Sequence, residues 1–182
     1  MGQARAVALL RGVNVGGKNK LPMKDLCAFF VDAGCTEVKN YIQSGNVIFR
    51  ADAKVLKSLP GTIEARISER FGFSSPVILR THEEIAKIVR ENPYVARGDD
   101  EKQLHVVFLR DVPARDLVDA LDPQRSPPDE FTVRGGEIYL SLVNGAAKTK
   151  LTNAWMDSKL KTISTGRNWR TVLTLYSLSG PE

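Results

Sequence analysis

The stretch from Arg11 to Lys20, RGVNVGGKNK, concentrates residues able to hold an anion. Its glycines let backbone N–H groups turn toward one point, the start of a following helix adds positive potential, and Lys18 and Lys20 add two full charges. The spacing is neither the GxxxxGK(S/T) of a Walker loop nor the GxGxxG of a dinucleotide site. A second polar cluster, Gln43-Ser44-Gly45-Asn46 with Tyr41 before it, offers amide, hydroxyl and phenol groups. Each segment taken alone also reads as connection chemistry, a flexible glycine loop and a tight turn. A third element lies near the end of the chain. In Arg167-Asn168-Trp169, Asn168 suits a helix N-cap and Trp169 a buried anchor, which leaves Arg167 as a base beside a helix start, with Lys150 as its neighbour in charge.

Other chemistry is absent from the pattern. His82 falls in a helix-capping turn and His105 inside a strand, and neither is paired with a nucleophile. There is no HExxH, GxSxG or carboxylate-rich metal loop, and Asp99-Asp100-Glu101 reads as solvated surface. Cys27 and Cys35, eight residues apart, fit no zinc or disulfide framework and are expected to be free thiols. No cofactor is expected. Tyr41 is the one residue to name as an acid or base for a reaction. The strands VALLR and NVIFR carry only Phe49 as an aromatic, which disfavours an RNA-recognition sheet.

Charge supports an anion at the chain ends. The 182 residues hold 26 bases and 21 acids, formal charge +5. Residues 1–24 contain five bases and no acid, and residues 148–170 contain six bases and one acid, so these two segments hold net +10 against net −5 elsewhere. If the fold joins the ends, a positive site sits on a mildly acidic body; scattered solubilising lysines are the plainer alternative. The apolar run before Arg11 is too short for a signal peptide and no run reaches the ~18 residues of a membrane span, so a cytoplasmic protein without membrane attachment is expected.

The elements that must position these groups follow from periodicity. RAVALLR (5–11) is a strand buried on both faces, Pro22 opens a helix whose Met23, Leu26, Cys27 and Phe30 share a face, and Gly34 ends it. Residues 38–43 and 46–49 form a hairpin across Ser44-Gly45. Residues 55–71 form a helix that Pro60-Gly61 should break or kink, and 76–80 form a strand. Thr81 and Glu84 make a capping box for a helix to about Arg90, ended by Asn92-Pro93. The order then recurs: a strand at 104–110, a helix at 113–121, a hairpin of 131–133 with 137–142 across Arg134-Gly135-Gly136, and a helix at 148–159. Residues 168–178 read as helix where a perfect repeat wants a strand. ALLRGV (8–13) parallels VFLRDV (107–112), and SGNVIF parallels GGEIYL.

The expected fold is α/β (α+β), two tandem ferredoxin-like βαββαβ halves, residues 1–81 and 82–182, the second modified by a C-terminal helix and both packed as one body. The strand at 5–11 should run parallel to that at 38–43. That brings the loop after the first beside the hairpin after the second.

ALLRGVNVGGKNKLPMKDL followed by YIQSGNVIF resembles the signature of the bacterial family of domains of unknown function DUF1697. The likeness continues through NPY (92–94), LHVVFL, IYL (138–140), Lys150 and RNW (167–169). It implies a tandem α/β protein and no particular activity. Three positions depart from the pattern: Asn40 stands where the family tends to have Thr, and GRNWRT replaces TRNWNT at 166–171, with Gly166 and Arg170 as the differing residues.

The expected site is Arg11, Asn14, Lys18, Lys20, Gln43, Ser44, Asn46, Lys150 and Arg167, converging on one cleft that takes a small phosphorylated or nucleotide-like anion. Two alternatives belong to other classes. One is an enzyme acting on such a ligand, with Lys18 or Lys20 stabilising transition-state charge; the other is a nucleic-acid binder using both basic ends as a backbone track.

Overall fold

The computed structural model describes residues 2–181, with elements in the order β1 (Ala4–Leu10), α1 (Met23–Asp32), β2 (Thr36–Tyr41), β3 (Asn46–Ala51), α2 (Ala53–Phe71), β4 (Val77–Thr81), α3 (His82–Arg90), α4 (Pro93–Arg97), β5 (Leu104–Leu109), α5 (Arg115–Asp119), β6 (Glu130–Arg134), β7 (Glu137–Ser141), α6 (Asn153–Leu160), β8 (Ser164–Asn168) and α7 (Trp169–Ser179). Two four-stranded antiparallel sheets result, with orders β2-β3-β1-β4 and β6-β7-β5-β8. Equal order in the two sheets is consistent with tandem ferredoxin-like repeats. The equivalence extends to single hydrogen bonds: Leu10 N–H donates to Gly45 O and Leu109 N–H to Gly136 O, each at 2.8 Å. These are the positions that ALLRGV/VFLRDV and SGNVIF/GGEIYL align.

The chain divides into two compact units. The first runs to Ala86 and takes in the chain again from Leu175; the second is Lys87–Thr174. The division thus falls a few residues beyond Thr81, and the end of α7 belongs with the first unit.

In the first unit, Ala6, Ala8, Leu10, Val47 and Phe49 on the sheet meet Leu26, Phe30, Leu59, Ile63 and Ile67 from the two helices. Phe30 and Phe49 stack tilted with centroids 5.2 Å apart. Val7 and Leu9, on the other face of β1, are also fully buried, as a continuous apolar run requires. The second unit repeats the scheme with Val107, Leu109, Ile138 and Leu140 against Met156 and Leu160.

Four sequence expectations are corrected. Helix α2 runs unbroken through Pro60. A proline inside a helix costs about 3 kcal/mol, but burying Leu59, Ile63 and Ile67 returns roughly 1.5–3 kcal/mol each, and the Asp52 carboxylate caps Val55 N–H at 2.8 Å. Residues 164–168 form a strand, β8, before the last helix, because the free edge of β5 pairs with it from His105 opposite Asn168 to Leu109 opposite Ser164. The polar run STGRN carries no strand pattern of its own. Helix α6 begins at Asn153, capped by Thr152, so Lys150 precedes it in a loop. Asp99 is not solvated surface: its carboxylate accepts from Arg97 at 2.6 and 2.7 Å and from the Ser141 hydroxyl at 2.7 Å.

The capping box holds as expected, with Thr81 N–H donating to Glu84 at 2.7 Å and Glu84 N–H to the Thr81 hydroxyl at 3.2 Å. Asn168 caps α7 through Thr171 N–H at 2.8 Å, and Trp169 is buried. Cys27 is half-buried and Cys35 buried; burial raises both thiols, Cys35 to about 11.

Candidate functional site

Half of the loop after β1, five of the ten residues 11–20, takes a backbone that only glycine and asparagine adopt readily. Gly12, Asn14, Gly16, Gly17 and Asn19 all have φ between +50° and +74°. Gly16-Gly17 is a two-residue turn in which Lys18 N–H donates to Val15 O at 3.0 Å, and Asn14 N–H reaches Asn19 O at 3.0 Å. The Asn19 side chain donates to Gly12 O at 2.9 Å. The loop is therefore a small closed structure carried on Val13 and Leu21, both buried.

It is also anchored on three sides. Arg11 N–H donates to Pro76 O at 3.0 Å, and the buried Ser75 hydroxyl donates to Arg11 O at 2.9 Å. Asn14 Nδ2 donates to Leu21 O at 2.9 Å and to Gln43 O at 2.8 Å, while its Oδ1 accepts from Leu21 N–H at 2.8 Å. Loop and hairpin meet as the topology requires, although β1 and β2 are separated by β3 and parallel only through their shared antiparallel partner. The contact is tight: a Cβ at Gly45, where φ is +75°, would stand 2.6 Å from Val13 Cγ2 and 2.7 Å from Leu10 Cβ.

Each predicted residue now has a place. Lys18 and Lys20 are exposed and, among the described residues, form no ion pair. Gln43 is exposed at the hairpin tip; Arg11 and Ser44 are half-buried. Asn46 is fully buried and closes the hairpin, donating to Tyr41 O at 3.2 Å and Ser44 Oγ at 2.9 Å. The Asn14 side chain thus holds backbone, and that of Asn46 holds a backbone carbonyl and the Ser44 hydroxyl. Lys150 and Arg167 belong to the second unit. Lys150 is exposed, with its N–H on Ser126 Oγ at 3.0 Å. Arg167 is buried on β8, where it donates to Thr165 Oγ1 at 2.9 Å and Gly166 O at 2.7 Å, and burial brings its pKa down to about 10.

Neither histidine adds acid–base chemistry to the loop. His82 Nδ1 lies 3.0 Å from Ser179 Oγ with its ring stacked on Tyr176, and burial lowers the pKa of His105. Among the described residues no cluster of three His, Cys, Asp or Glu is placed to hold a metal, and no helix is long and apolar enough to cross a membrane. Pattern reading missed the pair Arg5 and Arg50, which only strand register brings together. It also missed the network of Arg97, Asp99 and Glu130, where the Arg97 guanidinium lies 4.8 Å from the Tyr94 ring centroid.

The loop, the hairpin and the NPY turn all lie within residues 4–139, the stretch matched by the family model described as Protein of unknown function (DUF1697). The chain belongs to the DUF1697 family. The DUF1697 match ends before Lys150 and the Arg167–Trp169 segment. No curated protein matches the chain. A solved structure described as a conserved bacterial protein from Streptococcus pneumoniae is similar, with a TM-score of 0.73 and 22% identity over 98% of this chain and 99% of that one. At that identity the likeness speaks to the DUF1697 fold alone.

Proposed function

We propose that the loop–hairpin end of the first unit binds a small phosphorylated or nucleotide-like anion. The observation that carries this reading is the anchoring of Lys18 and Lys20: two exposed ammonium groups stand on a loop closed by its own hydrogen bonds and clamped to the hairpin by Asn14. A fixed loop loses less entropy on binding than a mobile one. The N–H groups of Gly16 and Gly17 enter none of the hydrogen bonds within the described residues, and Gln43 extends the polar surface. Residues 1–24 hold five bases and no acid, so the segment itself contributes a positive potential. Of the expected residues, Lys18, Lys20 and Gln43 take the ligand, Arg11 and Ser44 border it, and Asn14 and Asn46 shape the frame.

The test is a thermal-shift and calorimetric titration of the full chain with pyrophosphate, AMP, ADP, a hexose phosphate and a short oligonucleotide at two salt concentrations. A small anion should give saturable stabilisation of roughly 1–3 kcal/mol at ~10–100 times its Kd. Replacing Lys18 and Lys20 with Ala should remove the response to pyrophosphate and ADP while leaving the unliganded Tm nearly unchanged. Equal stabilisation of that double variant, or binding confined to the oligonucleotide with a steep salt slope, overturns the proposal.

A further inference from the structure

At the other end of β1, six residues and ~20 Å from Arg11, two arginines face each other. Arg5 on β1 and Arg50 on β3 are direct cross-strand partners. Like charges in that position repel, so the pair calls for a counter-charge. The chain supplies part of one. Arg50 Nη1 donates to Glu37 Oε1 at 2.8 Å, and Arg5 Nη1 donates to Gly180 O. Glu37 reaches Arg50 through a distortion: it has φ +50° within a register shift of β2 between Thr36 and Lys39. Such bulges re-aim side chains. Even then, Arg50 Nε is buried and, among the described residues, has no hydrogen-bond partner.

These groups line a cleft of about 250 Å³, where Arg5, Glu37, Lys39 and Arg50 meet the apolar Ile48 and Leu178. A second cavity of about 390 Å³ shares Arg5 and Arg50 and adds His82 and Glu83. The wall formed by the end of α7 is fixed in place, since His82 holds Ser179 and stacks on Tyr176 at 5.3 Å. Among the described residues, three bases and one acid line the first cleft, a difference of two positive charges. Its volume is below that of a typical drug-sized pocket, enough for a head group and a short body.

We infer that this cleft binds the dianionic head of a small phosphate monoester, in a site separate from the Lys18–Lys20 loop. The two guanidinium forks match phosphate oxygens, Lys39 adds a point charge, and Ile48 and Leu178 meet the organic part. A phosphate monoester carries close to two negative charges above its second pKa of ~6, which balances the lining.

Phenyl phosphate is the probe, titrated calorimetrically into the full chain at low salt. With Lys18 and Lys20 replaced by Ala, so that the loop does not contribute, one-site binding is expected, stronger at pH 7.5 than at pH 5, as the dianion forms. Arg50→Gln and Arg50→Lys should each weaken it about tenfold or more, the second because charge remains and the fork is lost. Lys39→Ala, at an exposed position, should weaken it several-fold without changing Tm, which keeps the test valid if Arg5→Gln fails to fold. Replacing Lys18 and Lys20 with Ala should remove any share of the heat that the loop contributes and leave the cleft's binding in place. Three results would overturn the inference: no binding of phenyl phosphate at ~10 mM, wild-type affinity in both Arg50→Gln and Lys39→Ala, or succinate binding as tightly as phenyl phosphate. Loss of all binding on removal of Lys18 and Lys20 would be a fourth such result, since the phosphate would then sit at the loop.

Discussion

The side-chain amide of Asn14 donates to the carbonyl of Gln43 at 2.8 Å, tying the loop after β1 to the hairpin after β2 across 29 residues of sequence. The same side chain makes two more hydrogen bonds to Leu21, from a backbone at φ +53°. Net contributions of about 0.5–1.5 kcal/mol per hydrogen bond and ~1–2 kcal/mol for a left-handed alanine place Asn14→Ala among the costly single changes. The variant should lose roughly 3 kcal/mol by urea unfolding. Asn14→Gly should recover ~1 kcal/mol of that, since glycine takes the backbone without strain. Equal stability of the two variants would show that the hydrogen bonds, not the backbone, carry the whole effect.

Gly45 is the second point of contact between loop and hairpin. An added Cβ meets Val13 Cγ2 at 2.6 Å and Leu10 Cβ at 2.7 Å, on a backbone at φ +75°. Overpacking costs about 1–3 kcal/mol and the φ a further ~1–2 kcal/mol, so Gly45→Ala should destabilise the protein by more than ~2 kcal/mol. Pairing it with Val13→Ala should not restore the loss, because Leu10 blocks the same space. Denaturant midpoints of the single and double variants check this.

Gly166 carries the opposite expectation. Its backbone is that of an ordinary strand, and a Cβ there would touch Asn153 Oδ1 and Val107 Cγ2 at 3.7 Å, normal van der Waals contact. Gly166→Ala should raise stability by about 0.5–1 kcal/mol through a less disordered unfolded chain. A lowered Tm would mean that β8 needs the glycine.

Asp99 sets an acid limit. Hydrogen bonds from Arg97 and then Ser141 lower its pKa from 3.8 to about 2. A carboxylate with a depressed folded-state pKa stabilises the fold above its unfolded value and ceases to do so as pH falls through the folded one. The stability difference between wild type and Asp99→Asn should therefore be constant above pH ~5 and shrink between pH ~4 and ~2. A difference that stays constant down to pH ~2 would remove Asp99 from the acid response. Urea midpoints measured across that range give the answer.

Elements with a local signal were legible before any fold was known. RAVALLR is apolar on both faces and became a strand buried on both; Thr81 and Glu84 sit at capping-box spacing and form one; Gly34 and Asn168 end and begin helices where their chemistry permits. The strand-helix-strand order was enough to bring the Arg11–Lys20 loop to the Gln43–Asn46 hairpin, because the direction of a crossover follows from its order. Family signature and charge count pointed to the same segments. What those side chains do was decided by tertiary contacts. Asn14 and Asn46 have the same donors and acceptors whether they meet a ligand or a carbonyl, and here they meet carbonyls. Arg167 reads as a base at a helix start but lies in a buried strand, since β5 had an unpaired edge to fill. Pro60 stays within a helix because three buried neighbours outweigh one lost hydrogen bond. Arg5 and Arg50, 45 residues apart, carry no shared pattern; register alone sets them face to face, and register depends on pairings summed along two whole strands.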